Sequence, residues 1–344
     1  MILKDKKNID NYKRKELENK IICGTTLSVL KKIPSKCVQT IITSPSYFLK
    51  KEYENKNEKF NEYLKNHKEI IKETRRVLKD NGAIFWNVAQ TINDKEIFPL
   101  GAIFYNIFKE LNFFLKNWII WKFEGGECPT NRLFGRYENV LWLVKDKENF
   151  IFNVDDIRVP TKWIKDSRVR KDGKNPEDFW IFDERSNIEK LNSIQSKLNK
   201  YRKLISEKAN GYVNQILMDE IARDLENQLN NLLETKDNVI KRNLSDNIWH
   251  YNRVVNISKK EKIKHPKTNN AHPCPFPERL IERIIKMSSN KGDFILDIFS
   301  GSGTVMKVAR DLDRKWCGID KEKEYCEIAK HRLKSKKSQQ LRLV

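Results

Sequence analysis

The feature that most constrains the fold is a short pattern near the C-terminal end of the chain, in residues 294–320. There the segment FILDIFSGSGTVMKVARDL predicts a strand, a glycine-rich turn and a helix, and WCGID predicts a second strand that ends on Asp320. Glycines at 301 and 303 let the backbone turn tightly and approach a ligand, and the start of the helix offers free N–H groups. The pattern predicts the first βαβ unit of a nucleotide-binding sheet.

The position of this unit predicts an uncommon order of strands. Such a unit normally opens its fold, but here it lies close to the end of a chain of 344 residues. Two strands cannot complete a sheet alone, so N-terminal strands must continue it. The segments CVQTIIT, GAIFWNVA, NWIIWKF and YENVLWLV are typical of strands and alternate with helical patterns, one of which closes at Asn81–Gly82. We therefore predict an α/β fold with a mostly parallel sheet in circularly permuted order.

The alternation of strands and helices stops at about residue 160 and resumes with HPCPFPERLIERIIKMSS. Residues 160–185 are rich in Lys, Arg and Asp, and residues 186–240 carry long helical patterns. We predict one α/β domain made of residues 21–159 and 266–335, interrupted by a largely helical insert at residues 160–265.

The glycine-rich turn departs from the dinucleotide-binding pattern. Met306 stands where that pattern has its third glycine, and Asp297, four residues before Gly301, is not part of it. The sequence D-x-F-x-G-x-G-T instead resembles motif I of the S-adenosylmethionine-dependent methyltransferases. This resemblance implies a Rossmann-like methyltransferase sheet and S-adenosyl-L-methionine as cofactor. It places Asp297 near the methionine moiety and Asp320 on the ribose hydroxyls, and it adds Phe299, Gly301, Gly303 and Thr304 to the cofactor site.

A second pattern, TSPSY at residues 43–47, follows a predicted strand. It resembles motif IV of the amino-methyltransferases, which usually has two prolines; here Ser46 stands at the second, so loop rigidity is in question. The resemblance makes the Ser44 hydroxyl and the Pro45 carbonyl acceptors for the N–H groups of a base amine, and Tyr47 the residue that stacks on the flipped base. Serine at the first position favours cytosine N4 as the target, with adenine N6 as the alternative.

Further segments resemble family motifs and add candidate residues. In IICGTTLSVL, Thr25 replaces an aspartate that contacts the adenine of the cofactor. Near YENVLWLV, Arg136 and Tyr137 are candidates for flanking the target base, or else ordinary surface. In GKNP, Lys174 suits a phosphate or a base edge. In HPCPFPERL, His272 and Phe276 are expected at the methionine end of the cofactor, although His272 could instead cap a helix.

The formal net charge of +21 favours a polyanionic partner, although a Lys-rich genome would also produce it. We expect double-stranded DNA, with structured RNA as an alternative, and a cognate restriction endonuclease as a further candidate partner. The insert then corresponds to the target-recognition region of such enzymes. A catalytically silent DNA-binding relative is a third hypothesis, and a dinucleotide oxidoreductase a fourth.

Cysteine usage and hydropathy predict where the protein works. The six cysteines include no C-x-x-C pair, so we expect neither a metal nor a disulfide framework. The charged N-terminus has no signal-peptide pattern, and no run of 18 apolar residues could span a membrane. We expect a cytoplasmic monomer or homodimer.

Overall fold

A computed structural model describes residues 2–4, 11–49, 57–93, 96–123, 129–133, 135–159, 173–181 and 276–334. The described strands are β1 (Ile2–Lys4), β2 (Lys20–Cys23), β3 (Val38–Thr43), β4 (Leu78–Val88), β5 (Thr91–Asn93), β6 (Glu96–Phe98), β7 (Phe114–Lys122), β8 (Tyr137–Val144), β9 (Phe179–Ile181), β10 (Phe294–Asp297) and β11 (Lys315–Asp320). The described α-helices are α1 (Arg14–Leu17), α2 (Thr26–Lys32), α3 (Phe60–Val77), α4 (Leu100–Glu110), α5 (Glu278–Ser288), α6 (Thr304–Asp311) and α7 (Lys323–Lys334), with a 3₁₀ turn at Val154–Ile157.

Nine strands form the main sheet in the order β1-β2-β11-β10-β3-β4-β8-β7-β9, and β5 and β6 form a separate hairpin. The first six strands in this order, β1-β2-β11-β10-β3-β4, are all parallel to their neighbours. Strand β8 is antiparallel to β4 and to β7, and β9 is parallel to β7. This confirms the predicted α/β class with a mostly parallel sheet. β10 and β11 lie between β3 and β2, so N-terminal strands do continue the C-terminal unit. The interpretation as a circular permutation and the boundaries of the two halves remain predictions.

Helices cover both faces of the sheet. Strand β3 is buried at every position, as expected for a parallel strand with helices on each side. Alternate residues enter two separate cores: Ile41 packs with helices α2, α3 and α4, and Ile42 packs with helices α5, α6 and α7. The N-terminal helices therefore cover one face and the C-terminal helices the other, with the parallel strands between them.

The prediction that helix α3 closes at Asn81–Gly82 is wrong. The helix ends at Val77, and Asn81–Gly82 lies inside strand β4. Val38 pairs with Leu78 but Thr40 pairs with Ala83, so β4 carries extra residues at a bulge. An Asn-Gly pair suits a bulge as well as a helix end, since both need a local turn of the backbone.

One further prediction concerns a part of the chain outside the described ranges. The helical patterns at residues 186–240 lie there. Among the described helices, none is both long and apolar enough to cross a membrane.

Candidate active site

The parallel strands β2, β11, β10 and β3 end at one edge of the sheet, called here the carboxyl edge. Hydrogen bonds join the segments that leave these strands. The Thr43 hydroxyl donates to Asp297 Oδ1 at 2.9 Å, and the Gly24 N–H donates to the Asp320 carbonyl at 2.9 Å. The TSPSY loop and the glycine-rich turn, which are more than 250 residues apart in the sequence, therefore meet at this edge.

The glycine-rich turn connects β10 to α6. Gly303 is the residue before the helix, with a φ of 80°, a left-handed conformation that few other residues adopt. A Cβ atom there would lie 2.9 Å from the Cβ of Ala329 in α7. Glycine at 303 is therefore needed both for the turn and for the close approach of α7.

Met306, which stands where the dinucleotide-binding pattern has its third glycine, is accommodated by a glycine in the neighbouring strand β11. Its side chain is fully buried under β11, and a Cβ atom on Gly318 would overlap its Sδ atom. The close packing of helix and strand that a dinucleotide fold obtains from a glycine in the helix is obtained here from a glycine in the strand.

Asp320 is held in place by backbone donors. Its Oδ2 accepts the Gly301 N–H at 2.8 Å, and its Oδ1 accepts the Glu322 N–H at 2.9 Å. Burial raises the pKa of this carboxyl group above its usual value, against the effect of the two N–H donors. Each carboxylate oxygen has two lone-pair directions, so both can accept a further hydrogen bond from a ligand.

Asp297 is more deeply buried, with 2% of its surface exposed. Its Oδ1 accepts the Thr43 hydroxyl and the Phe299 N–H, at 2.9 and 3.2 Å. Desolvation raises the pKa of Asp297 to about 7, opposed by these two hydrogen bonds and increased by the Asp320 carboxylate. A cation placed beside Asp297 would lower this pKa again.

Two other residues predicted at the cofactor site have their side chains in protein contacts. The Thr304 hydroxyl is buried and accepts a hydrogen bond from Arg332 Nη1 at 2.7 Å, which joins α6 to α7. The Phe299 ring lies near the rings of His67 and Trp86, with centroids 5.9 and 6.3 Å away. Desolvation lowers the pKa of His67 to about 4, so this surrounding is uncharged at neutral pH.

In the TSPSY loop, the Ser44 Oγ atom lies 2.7 Å from the hydroxyl of Tyr47, and that hydroxyl donates to Glu138 Oε2 at 2.8 Å. Asn87 Nδ2 donates to the Tyr47 oxygen and to Glu138 Oε2, both at 2.7 Å. Asn87 and Glu138 are almost fully buried. The four side chains form one network at the carboxyl edge, and stacking of Tyr47 on a base remains a prediction.

Asn87 and Glu138 were not among the residues predicted from the sequence. Each is a polar residue within an otherwise apolar strand, in GAIFWNVA and in YENVLWLV. A buried polar residue in such a strand needs a hydrogen-bond partner, and that requirement was the signal in the sequence.

Hydrogen bonds and ring contacts hold the TSPSY loop in place, although Ser46 replaces the usual second proline. The Tyr63 hydroxyl donates to the Ser46 carbonyl at 2.6 Å, and the Thr91 hydroxyl donates to the Phe48 carbonyl at 3.3 Å. The Phe48 ring packs on Phe60 and Tyr63, with centroids 5.2 and 5.3 Å away. These contacts hold the segment around Ser46 against α3 and β5.

The remaining predicted residues are spread around this centre. Thr25 is exposed and directly follows Gly24, which is bonded to the Asp320 carbonyl. Tyr137 is 39% exposed at the start of β8, between Arg136 and the buried Glu138.

No described contact brings Phe276 or Lys174 to the glycine-rich turn. Phe276 packs on Trp121 of β7, with ring centroids 6.5 Å apart. Lys174 pairs through its backbone with Val159. His272 lies outside the described residues. Within the described ranges, no group of three or more His, Cys, Asp or Glu side chains is arranged to hold a metal ion.

Known sequences resemble most of this chain. A sequence model of the N6_N4_Mtase family, described as DNA methylase, matches residues 38–331, a range that contains both the TSPSY loop and the glycine-rich turn. The type II methyltransferase M.BglII of Bacillus subtilis is 30% identical over 322 residues, which cover 90% of this chain and 68% of that protein. The DNA adenine methyltransferase YhdJ of Escherichia coli K12 is 27% identical over 319 residues, which cover 91% of this chain and 82% of that protein.

Solved structures share the fold. The cytosine-N4-specific PvuII DNA methyltransferase superposes with a TM-score of 0.57 at 18% identity, over 92% of this chain and 87% of that chain. A candidate DNA modification methylase of Thermus thermophilus, solved in complex with S-adenosyl-L-methionine, superposes with a TM-score of 0.50 at 20% identity, over 91% of this chain and 92% of that chain. At these identities the likeness concerns the fold alone.

Proposed function

Since this chain belongs to the N6/N4 family of DNA methylases, we propose that it transfers a methyl group from S-adenosyl-L-methionine to N4 of a cytosine flipped out of double-stranded DNA. The observation that carries this proposal is the bond between Thr43 and Asp297. It holds the loop that resembles the amino-methyltransferase motif against the turn that resembles the cofactor motif. Ser44 is the next residue after Thr43, so this hydrogen bond fixes the backbone directly before the Ser44 hydroxyl.

The residues of the glycine-rich turn fit the proposed cofactor. Asp320 keeps lone pairs for the two ribose hydroxyls, and Asp297 offers a carboxyl group to the ammonium of the methionine moiety. The Ser300 hydroxyl is buried and has no partner among the described residues, so a ligand could satisfy it. When bound, the cofactor supplies a methyl group made electrophilic by its sulfonium. Gly301, Gly303, Phe299, Thr304, Thr25, Phe276 and His272 remain proposed parts of this site.

The acceptors of the TSPSY loop suit an exocyclic base amine, which is a weak nucleophile. The lone pair of an exocyclic base amine is delocalised into the ring, so the amine must become more pyramidal as it reacts. Acceptors aimed at its N–H groups favour that geometry in the transition state. We assign this role to the Ser44 hydroxyl and the Pro45 carbonyl, and we assign stacking on the flipped base to the ring of Tyr47.

Contacts with DNA are proposed for several basic and aromatic residues. The net charge of +21 suits a polyanion, and Arg136, Tyr137 and Lys174 are the proposed contacts to the target base or its neighbouring phosphates. Residues 160–265 are the proposed target-recognition region. The relative M.BglII is a type II methyltransferase, which supports a role in a restriction–modification system beside a cognate endonuclease.

Adenine N6 is the second candidate target, because YhdJ is a DNA adenine methyltransferase and its alignment covers 91% of this chain. The choice of cytosine rests on Ser44, whose position in the family motif usually holds Asp or Asn in adenine enzymes.

The test uses the purified protein with tritiated cofactor and duplex DNA. We expect label in the DNA, and nuclease digestion should release N4-methylcytosine. Release of N6-methyladenine alone would overturn the cytosine assignment, and preference for structured RNA in a competition would overturn the choice of DNA.

A Ser44→Ala variant separates an enzyme from a catalytically silent DNA-binding relative. We expect this variant to lose methyl transfer while its affinity for duplex DNA stays near that of the wild type. If the wild type binds DNA but transfers no methyl group to any base, the proposed function is wrong.

A further inference from the structure

The network around Ser44 ends on a buried carboxylate. Glu138 is 6% exposed, and its Oε2 accepts hydrogen bonds from both the Tyr47 hydroxyl and the Asn87 amide. Ser44 is joined to this carboxylate through the Tyr47 oxygen. A buried carboxylate at the end of a chain of hydroxyls determines which way each hydroxyl points.

The donors and acceptors of the network can be assigned in order. The Tyr47 hydroxyl donates to Glu138 Oε2, so the Tyr47 proton points to Glu138. The Tyr47 oxygen then accepts from Asn87 Nδ2 and from the Ser44 hydroxyl, which must be the donor in the 2.7 Å contact. Because its own proton is directed towards Tyr47, the Ser44 oxygen presents its lone pairs to other donors.

We propose that Glu138 is a positioning residue that acts through Tyr47 and Ser44: it fixes Ser44 as an acceptor for the target amine and takes up the proton that the amine releases. This inference rests on the proposed function. It adds to that function a defined destination for the proton, which the loop motif alone does not provide.

The amine nitrogen forms a bond to the methyl carbon with its lone pair, and the carbon–sulfur bond breaks with its pair remaining on sulfur. The amine proton passes to Ser44 Oγ, the Ser44 proton passes to the Tyr47 oxygen, and the Tyr47 proton passes to Glu138 Oε2. Glu138 becomes a neutral acid and later returns its proton to solvent, so the relay is restored.

Two near-isosteric variants test the relay. In Glu138→Gln, the amide oxygen can still accept from Tyr47 and Asn87 but cannot take up a proton. In Tyr47→Phe, the ring that is proposed to stack on the base is kept and the relay is cut. Each change should lower the single-turnover rate of methyl transfer by roughly 10²–10⁴-fold. The dissociation constants for duplex DNA and for S-adenosylmethionine should stay close to the wild-type values.

The double variant Tyr47→Phe/Glu138→Gln distinguishes a relay from two structural contacts. Residues that act as one unit are not additive, so the double variant should be no slower than the slower single variant. Multiplied effects, or a Glu138→Gln rate close to the wild-type rate, would overturn the inference.

A matched control removes a carboxylate that is not part of the network. Glu110 forms an exposed ion pair with Lys68, and Glu110→Gln should leave the rate unchanged. Thermal unfolding of all variants shows whether a lost rate reflects a lost fold. A wild-type protein that labels no base would contradict the proposed function, whereas an active wild type with a fully active Glu138→Gln variant would contradict only the relay.

Discussion

Asp297 is a carboxyl group that holds a proton near neutral pH because it is buried. Desolvation raises its pKa from 3.8 to about 7, so the folded protein binds more protons than the unfolded chain between these values. The free energy of unfolding therefore falls as the pH rises through this window. The unfolded chain gains stability there by ionising, whereas the folded protein keeps its buried carboxyl group protonated. Proteins accept such a cost at sites that bind a ligand of opposite charge.

We expect the Asp297→Asn variant to reveal this cost. Asparagine keeps an acceptor for Thr43 and Phe299 but does not titrate. Relative to the variant, the free energy of unfolding of the wild type should fall by about 3 kcal/mol between pH 4 and pH 7. Urea unfolding of both proteins across this range measures the difference. A difference that does not change with pH would show that Asp297 is already ionised in the folded protein.

At the scale of single residues, those that belong to local motifs could be predicted from the sequence. Those that are brought to the site by strand pairing could not. Ser44, Asp297 and Asp320 each follow or end a strand, so the edge on which they lie could be predicted. Glu138 reaches Tyr47 only because β8 pairs antiparallel with β4, where Asn87 faces Val140. No local pattern encodes that pairing, since it is decided by how whole strands pack.

Among the elements, the loop after β3 is restrained by contacts with other elements in place of a second proline. A second proline would restrict the backbone directly, whereas here Tyr63 of α3 holds the Ser46 carbonyl from outside. The helix is itself fixed by the buried side chains of one face, among them Ile70 and Ile71. A helix that contributes no atom to the proposed chemistry therefore contacts the backbone of the loop.

We expect Tyr63→Phe to loosen the loop and to lower the single-turnover rate of methyl transfer by about fivefold, the effect of one net hydrogen bond of about 1 kcal/mol. Adding Ser46→Pro to this variant should recover most of the rate, because proline restores stiffness locally. Tyr105 of α4 packs its ring near Trp118 of β7. Tyr105→Phe is therefore the matched loss of a tyrosine hydroxyl, and its rate should be unchanged. A Tyr63→Phe rate equal to that of the wild type would mean that the loop needs no such restraint.

Strands and helices could be predicted more reliably than their ends. The segments FWNV, WIIW and LWLV are apolar enough to be recognised as buried strands, and the helix of residues 60–77 has a clear apolar face. The bulge in β4 could not be predicted, because the register shift between Val38 and Thr40 arises from the pairing of β3 with β4.

At the scale of the whole molecule, the excess of positive charge is the property that most affects binding. The chain has 68 Lys and Arg residues against 47 Asp and Glu residues. Side chains that lie on phosphates release the counterions condensed on the duplex, and this release makes affinity depend on salt.

We expect the affinity for a non-specific duplex to fall steeply between about 50 and 200 mM salt, by roughly 10³-fold or more if six or more phosphates are contacted. Fluorescence anisotropy with a labelled duplex at several salt concentrations gives the slope. The same titration with S-adenosylmethionine should be nearly flat, because that ligand carries no comparable polyanionic charge. An affinity for DNA that does not change with salt would show that the net charge has no part in binding.

The fold class could be predicted from the glycine-rich turn because that turn needs a sheet around it. The order of all nine strands could not, since the places of β1, β7 and β9 are decided by packing and not by any local pattern.

The place of β10 and β11 in the middle of the sheet has a consequence for how the protein is made. A ribosome releases β2 and β3 early, but the strands that lie between them emerge only after about residue 294. Until then both early strands have an unpaired edge, and the long delay before closure slows folding. A chain interrupted before residue 294 therefore lacks β10 and β11, the two central strands that end on Asp297 and Asp320.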